Sequence, residues 1–147
     1  MSNADVARDL RRFPAEVTKA LRKELREPVP AVRKNIKARA LATLPSGGGL
    51  NVWVSKTRIT ATVKIRGRGA AIRLKGGRNS LGSRSDIRAI DRGRVRHPSW
   101  GRRGRGQWHT QTVASAFFTE PVTEARDEWR KAAETAVERA KVVTDLG

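Results

Sequence analysis

The chain contains no cysteine. That excludes a disulfide scaffold, a thiolate zinc site and a cysteine nucleophile, and leaves the redox compartment open. Long apolar runs are missing too: none approaches the roughly 20 residues that a membrane-spanning helix needs. The opening Met1-Ser2-Asn3-Ala4-Asp5 lacks the basic-then-apolar pattern of a secretory signal, so a soluble, unsecreted protein without a membrane partner is expected. Large aliphatic residues are scarce. Leu, Ile, Val and Phe make up 31 of 147 residues, or 21%, just above the roughly 20% below which highly charged chains tend to be disordered. Nineteen alanines supply most of the remaining apolar content. A thin, helix-rich core is expected, completed by neighbouring subunits, in a single domain over residues 1–147.

Acidic residues are nearly absent from the middle of the chain. Residues 1–44 carry 11 bases and 5 acids, residues 45–111 carry 16 and 2, and residues 112–147 carry 5 and 7. The total of +18 repels itself in a compact monomer and calls for an anionic partner, either nucleic acid or an acidic protein surface.

Three regions follow from periodicity. Residues 1–44 read as helix, with Val6, Leu10, Phe13, Val17, Leu21 and Leu25 on one face. Ser2 and Asp5 resemble a capping box. Pro14 should kink this helix, and Pro28 and Pro30 should end it. Val32, Ile36 and Ala40 resume the pattern to about Leu44. Pro45 to Gly49 reads as a stop and flexible joint. Residues 45–111 read as a basic, β-rich centre with extended loops. Val52 and Val54 alternate with Trp53 and Ser55, and Ile59, Ala61, Val63 and Ile65 with Thr60, Thr62, Lys64 and Arg66. This predicts half-buried antiparallel strands joined by a turn at Lys56-Thr57. Gly67-Arg68-Gly69 breaks the second strand. Ala70 to Lys75 predicts a third, residues 76–85 a loop, and residues 87–97 a fourth strand interrupted near Gly93. Residues 112–147 read as one C-terminal helix, with Thr119 as N-cap, Pro121 in the first turn, and Phe118, Val122, Ala125, Trp129, Ala132, Ala136 and Ala140 as its stripe. Trp129 and Trp53 are expected in the core. The fold class is therefore α+β: a long, kinked or broken N-terminal helix, a small antiparallel sheet of about four strands, and a long C-terminal helix packed on that sheet.

Catalytic patterns are weak. His97 and His109, the two histidines, lie twelve residues apart across a Gly/Arg loop. This spacing fits neither a helical metal pair nor a zinc motif, even with Asp86 and Asp91 nearby. No Ser occupies a nucleophile elbow. Gly67 to Ile72 lacks the third glycine of a dinucleotide fingerprint, and no Gly-Lys-Ser or Gly-Lys-Thr occurs. No enzyme activity, cofactor, metal or small-molecule substrate is expected. The densest feature is basic: Arg92, Arg94, Arg96, Arg102, Arg103 and Arg105, with Trp100 and Trp108 interleaved. Arginine pairs phosphates and carboxylates alike, and tryptophan stacks on exposed bases. The residues leave open whether this tract meets nucleic acid or acidic protein. Arg94, Arg96, Arg102, Arg103 and Arg105 are the candidate contacts.

Residues 93–118 also carry a resemblance. Gly93-Arg94-Val95-Arg96-His97-Pro98-Ser99-Trp100-Gly101 leads into an Arg/Gly loop, then Gln107-Trp108-His109-Thr110-Gln111, then Phe117-Phe118 before a helix. This resembles the small tail-completion and head–tail joining proteins (neck or tail-terminator-like) of long-tailed double-stranded DNA bacteriophages. The matching positions are His97, Pro98, Trp100, Gly101, Trp108, Gln111 and Phe118. The arginine density of the loop departs from the family pattern. The resemblance implies a non-enzymatic virion protein, present in the host cytoplasm during assembly. It implies a homo-oligomeric ring, typically sixfold, at the head-proximal end of the tail. Its partners would be itself, the head connector or stopper, the tail tube protein and the DNA passing through its channel. The arginine tract would then mainly dock acidic protein. The competing readings are a basic cellular nucleic-acid-binding protein, ribosome- or chromosome-associated, and a small nuclease using His97 or His109.

Overall fold

The computed structural model describes residues 15–66, 69–77, 87–98 and 108–145. The proposed capping box, Val6, Leu10, Phe13 and the Pro14 kink lie outside them. Helix α1 spans Ala15–Arg26 and α2 spans Val29–Thr43. Between them, the Pro28 carbonyl accepts the Val32 N–H at 3.1 Å, so Pro28 stands at the N-cap of α2. Pro30 falls in the first turn, where a missing N–H costs nothing. The two prolines thus end one helix and start the next, giving the long bent N-terminal helix. Val17, Leu21 and Leu25 are buried on α1, and Val29, Val32, Ile36 and Ala40 on α2.

A 3-10 turn, Gly47–Gly49, follows, and then helix α3, Leu50–Ser55. The strand expected over 52–55 is not formed. In a strand, Val52 and Val54 would share a face, whereas Val54 is buried and Val52 is 43% exposed. Gly48 and Gly49 take φ of +73° and +74°, a conformation open to glycine, and turn the chain straight into α3. The Lys56 and Thr57 N–H groups then bond back to the carbonyls of Val52 (3.2 Å) and Val54 (3.0 Å). The 45–49 segment is a defined turn, and no hairpin forms at Lys56-Thr57.

Strand β1, Ile59–Arg66, therefore pairs with β2, Gly69–Gly76. The Thr60 hydroxyl donates to the Lys75 carbonyl at 3.3 Å, and the Gly77 N–H to the Arg58 carbonyl at 2.7 Å. Both bonds give the same register, with Thr62 beside Arg73 and Lys64 beside Ala71. Helix α4, Ile87–Asp91, replaces the first half of the expected fourth strand. Ile87 and Ile90, a helical three residues apart, are both buried, and Gly93 at φ +86° closes the helix with its N–H on the Ile90 carbonyl at 2.8 Å. Strands β3, Arg94–Pro98, and β4, Trp108–Thr112, form a second antiparallel pair. The expected four-stranded sheet is thus two separate two-stranded sheets, because a helix stands where the partner strand of β1 was expected.

The C-terminal helix is also divided, into α5, Thr119–Glu124, and α6, Arg126–Asp145, with a turn at Ala125. By its contacts the chain forms two compact units, each built from separated stretches: residues 1–32, 60–75 and 124–147, and residues 33–59 and 76–123. In the first unit α1 packs along α6. The Trp129 indole N–H donates to the Leu25 carbonyl at 3.2 Å, and Arg139 pairs with Glu24. In the second unit the core holds Ile36, Ala40, Leu44, Val54, Ile59, Ile87, Ile90, Val113 and Phe117.

Candidate functional site

The arginine-rich tract divides at the edge of the described residues. Arg102, Arg103 and Arg105, with Trp100 and Gly101, lie outside them, and so do Asp86 and the greater part of the 76–85 segment. Arg94 and Arg96 stand on β3, both exposed. The ladder sets Arg94 opposite Thr112 and Arg96 opposite Thr110, so the two arginines share one face with two small polar residues. The side chain of Gln111, opposite Val95, is exposed. Pro98 is the last residue of β3, where its missing N–H removes no ladder bond. Trp108 is the first residue of β4.

Histidines twelve residues apart in sequence become neighbours here: His97 and His109 are direct cross-strand partners. Spacing along the chain could not show this, because the ladder and not the helix sets their distance. No group of three or more His, Cys, Asp or Glu that could hold a metal occurs among the described residues.

What holds β3 and β4 in place is a clamp that sequence reasoning missed. The Gly93 carbonyl accepts the Val113 N–H at 2.9 Å, and the Asp91 carbonyl accepts the Ala116 N–H at 2.7 Å. The Asp91 carboxylate accepts the Phe118 N–H at 2.7 Å and the Thr119 N–H at 3.2 Å, and also takes the Thr119 hydroxyl proton. Thr119 was expected to cap α5 with its own side chain. Instead its hydroxyl donates to Asp91, which caps the helix from 28 residues away. A β-carbon on Gly93 would lie 2.9 Å from the Val113 carbonyl oxygen, so the clamp closes around a position that glycine alone fits. Phe117 is 1% exposed and anchors this corner, while Phe118 is half-buried and meets it edge-to-face at 6.3 Å. Trp129 is in the core, as expected from its stripe. Trp53 is half-buried on α3.

Two further basic surfaces lie in the first unit. Lys19, Arg22, Lys23 and Arg26 run along one side of α1 and line a shallow groove with Glu27 and Pro30. On the β1–β2 ribbon, Thr60, Thr62, Lys64, Arg66, Ala71, Arg73 and Lys75 are all exposed, whereas Ala61, Val63, Ile65, Ile72 and Leu74 are half-buried. The ribbon thus has a basic face and an apolar face. Its charges are legible in the sequence as the polar positions of the alternation, though they are less dense than the arginine tract downstream.

Comparison with protein-family models, with curated proteins and with solved structures finds no match to this chain.

Proposed function

We propose that this chain is a structural protein of a long-tailed double-stranded DNA bacteriophage, forming a ring at the head-proximal end of the tail. There it completes or terminates the tail tube and joins it to the head connector, leaving a channel for DNA. The ring is read as a hexamer from the resemblance over residues 93–118. The protein acts by assembly, without catalysis or cofactor.

The observation that carries this reading is the β1–β2 ribbon. Ala61, Val63, Ile65, Ile72 and Leu74 form one apolar face, which the chain covers in large part but does not bury fully. A two-stranded ribbon is marginal by itself in water. An incompletely buried apolar face on such a ribbon suits a subunit that finishes its burial against its neighbours. Arg94 and Arg96, exposed on β3, precede Arg102, Arg103 and Arg105 in the chain. A guanidinium pairs a carboxylate in two parallel bonds, which suits docking to an acidic ring in the neck.

The test is particle imaging. Replacing Arg102, Arg103 and Arg105 together with Ser should yield unjoined heads and tails, or tails with faulty ends. Normal assembly with failed DNA delivery would overturn the docking role and assign the tract to DNA. A chain that stays monomeric at every concentration while binding nucleic acid tightly would favour the cellular nucleic-acid-binding reading instead.

A further inference from the structure

The register of the ribbon places its charges in a specific order. On the exposed face the successive cross-strand pairs are Thr60 with Lys75, Thr62 with Arg73, Lys64 with Ala71, and Arg66 with Gly69, as the Thr60–Lys75 and Arg58–Gly77 hydrogen bonds require. Each pair holds one base and one small neutral residue. The bases run down β2 as Lys75 and Arg73, then cross to β1 as Lys64 and Arg66. They form a single oblique file, one cation per pair. Same-face residues on a strand lie about 6.8 Å apart, so the file is about 20 Å long, the axial length of about six base pairs. None of the four makes an ion pair to an acid among the described residues, and no acid lies anywhere between Arg58 and Gly77.

We infer that this face is a docking surface for the sugar-phosphate backbone of double-stranded DNA. A line of evenly spaced cations fits a linear polyanion better than a compact acidic patch. The residues beside the cations decide the form of nucleic acid. Threonine, alanine and glycine offer no aromatic ring on which an unpaired base could stack, which single-strand binders use. They also offer no asparagine or glutamine for the bidentate contact to adenine. The inferred contact is with phosphates, independent of sequence and salt-sensitive, and a preference between two duplexes would show base reading by Arg66 or Arg73 instead. Four contacts hold duplex loosely enough for it to slide. The inference deepens the proposed function, and rests on it for the source of the duplex. The binding chemistry belongs to the ribbon alone.

The experiment measures binding of the full chain to a 20-base-pair duplex by fluorescence anisotropy between 50 and 200 mM salt. Substituting Lys64→Gln, Arg66→Gln, Arg73→Gln and Lys75→Gln together should flatten the slope of log affinity against log salt by about 3.6 for each ribbon bound to the duplex. Wild type then loses about 150-fold more affinity than the variant across that range. A charge-matched control, Lys19→Gln with Arg22→Gln, Lys23→Gln and Arg26→Gln, should change the slope by less than one. The paired variants Lys64→Gln/Arg66→Gln and Arg73→Gln/Lys75→Gln should each flatten it by about 1.8, and they serve if the fourfold variant fails to fold. Two duplexes of unrelated sequence should bind alike. An unchanged slope in the ribbon variants, or an equal change in the α1 control, overturns the inference, and so does tighter binding to single-stranded oligo-dT than to duplex. Sedimentation of the same samples reads ring formation separately. A wild-type chain that forms no ring while the slope effect stands counts against the proposed function alone, and a slope effect seen only where the variant has lost a ring that wild type forms overturns the inference.

Discussion

Trp129 ties the C-terminal helix to the N-terminal one, and two substitutions separate how it does so. It is 8% exposed, and its indole N–H donates to Leu25 O, a carbonyl in the last turn of α1. The last carbonyls of a helix have no partner within it, so the indole serves as a C-terminal cap as well as a wedge. A buried tryptophan removes about 150–250 Å² from water, worth about 4–6 kcal/mol at ~25 cal/mol per Å² as an upper bound. Trp129→Ala should accordingly cost about 3–5 kcal/mol. Trp129→Phe keeps most of the burial but leaves the Leu25 carbonyl without its donor, and should cost about 1–2 kcal/mol. The measurement is urea unfolding followed by far-UV circular dichroism, since three other tryptophans complicate fluorescence. Protein concentration is held fixed because association adds stability. At about 2–4 °C per kcal/mol, the alanine variant should melt roughly 6–20 °C lower. An alanine variant within about 1 kcal/mol of wild type, with phenylalanine indistinguishable from it, would refute the contact between α1 and α6 as a source of stability.

The Asp91 clamp makes two further predictions. Asp91→Ala removes the acceptor of the Phe118 and Thr119 N–H groups and of the Thr119 hydroxyl. It should cost about 1–3 kcal/mol, read by the same unfolding assay, and the amides of Phe118 and Thr119 should lose hydrogen-exchange protection. Full protection in the variant would show that α5 is capped some other way. Ala116 sits at φ +65°, a conformation costing a non-glycine residue about 1–2 kcal/mol. Ala116→Gly should relieve that strain, less the extra entropy of an unfolded glycine. A net gain of about 0.5–1 kcal/mol is the expected melt, and a loss would refute the strain.

Helical stripes were legible in the sequence because each rests on local spacing. Val17, Leu21 and Leu25 on α1 and Val32, Ile36 and Ala40 on α2 recur every four residues, Trp129 and Ala136 on α6 lie two turns apart, and a helix buries such a set wherever its partner lies. The bounds of β1 were legible for the same reason, since eight alternating residues leave one face for water, and β2, expected over Ala70 to Lys75, extends one residue further at each end. Short segments were not. Four residues, Val52 to Ser55, satisfy a strand pattern and one helical turn equally well, and Ile87 to Asp91 is only one residue longer. Their state was decided by what surrounds them: left-handed glycines at 48 and 49 ahead of α3, and Gly93 closing α4. Once α3 had formed, β1 had a single partner, and one sheet became two. The candidate sites divide in the same way. Net charge and the arginine tract are properties of composition. The file of cations on the ribbon, the pairing of His97 with His109, and the reach of Asp91 to the start of α5 join residues 9 to 28 positions apart. Strand register and chain reversal bring them together, and those are set by hydrogen bonds between distant segments that no local pattern encodes.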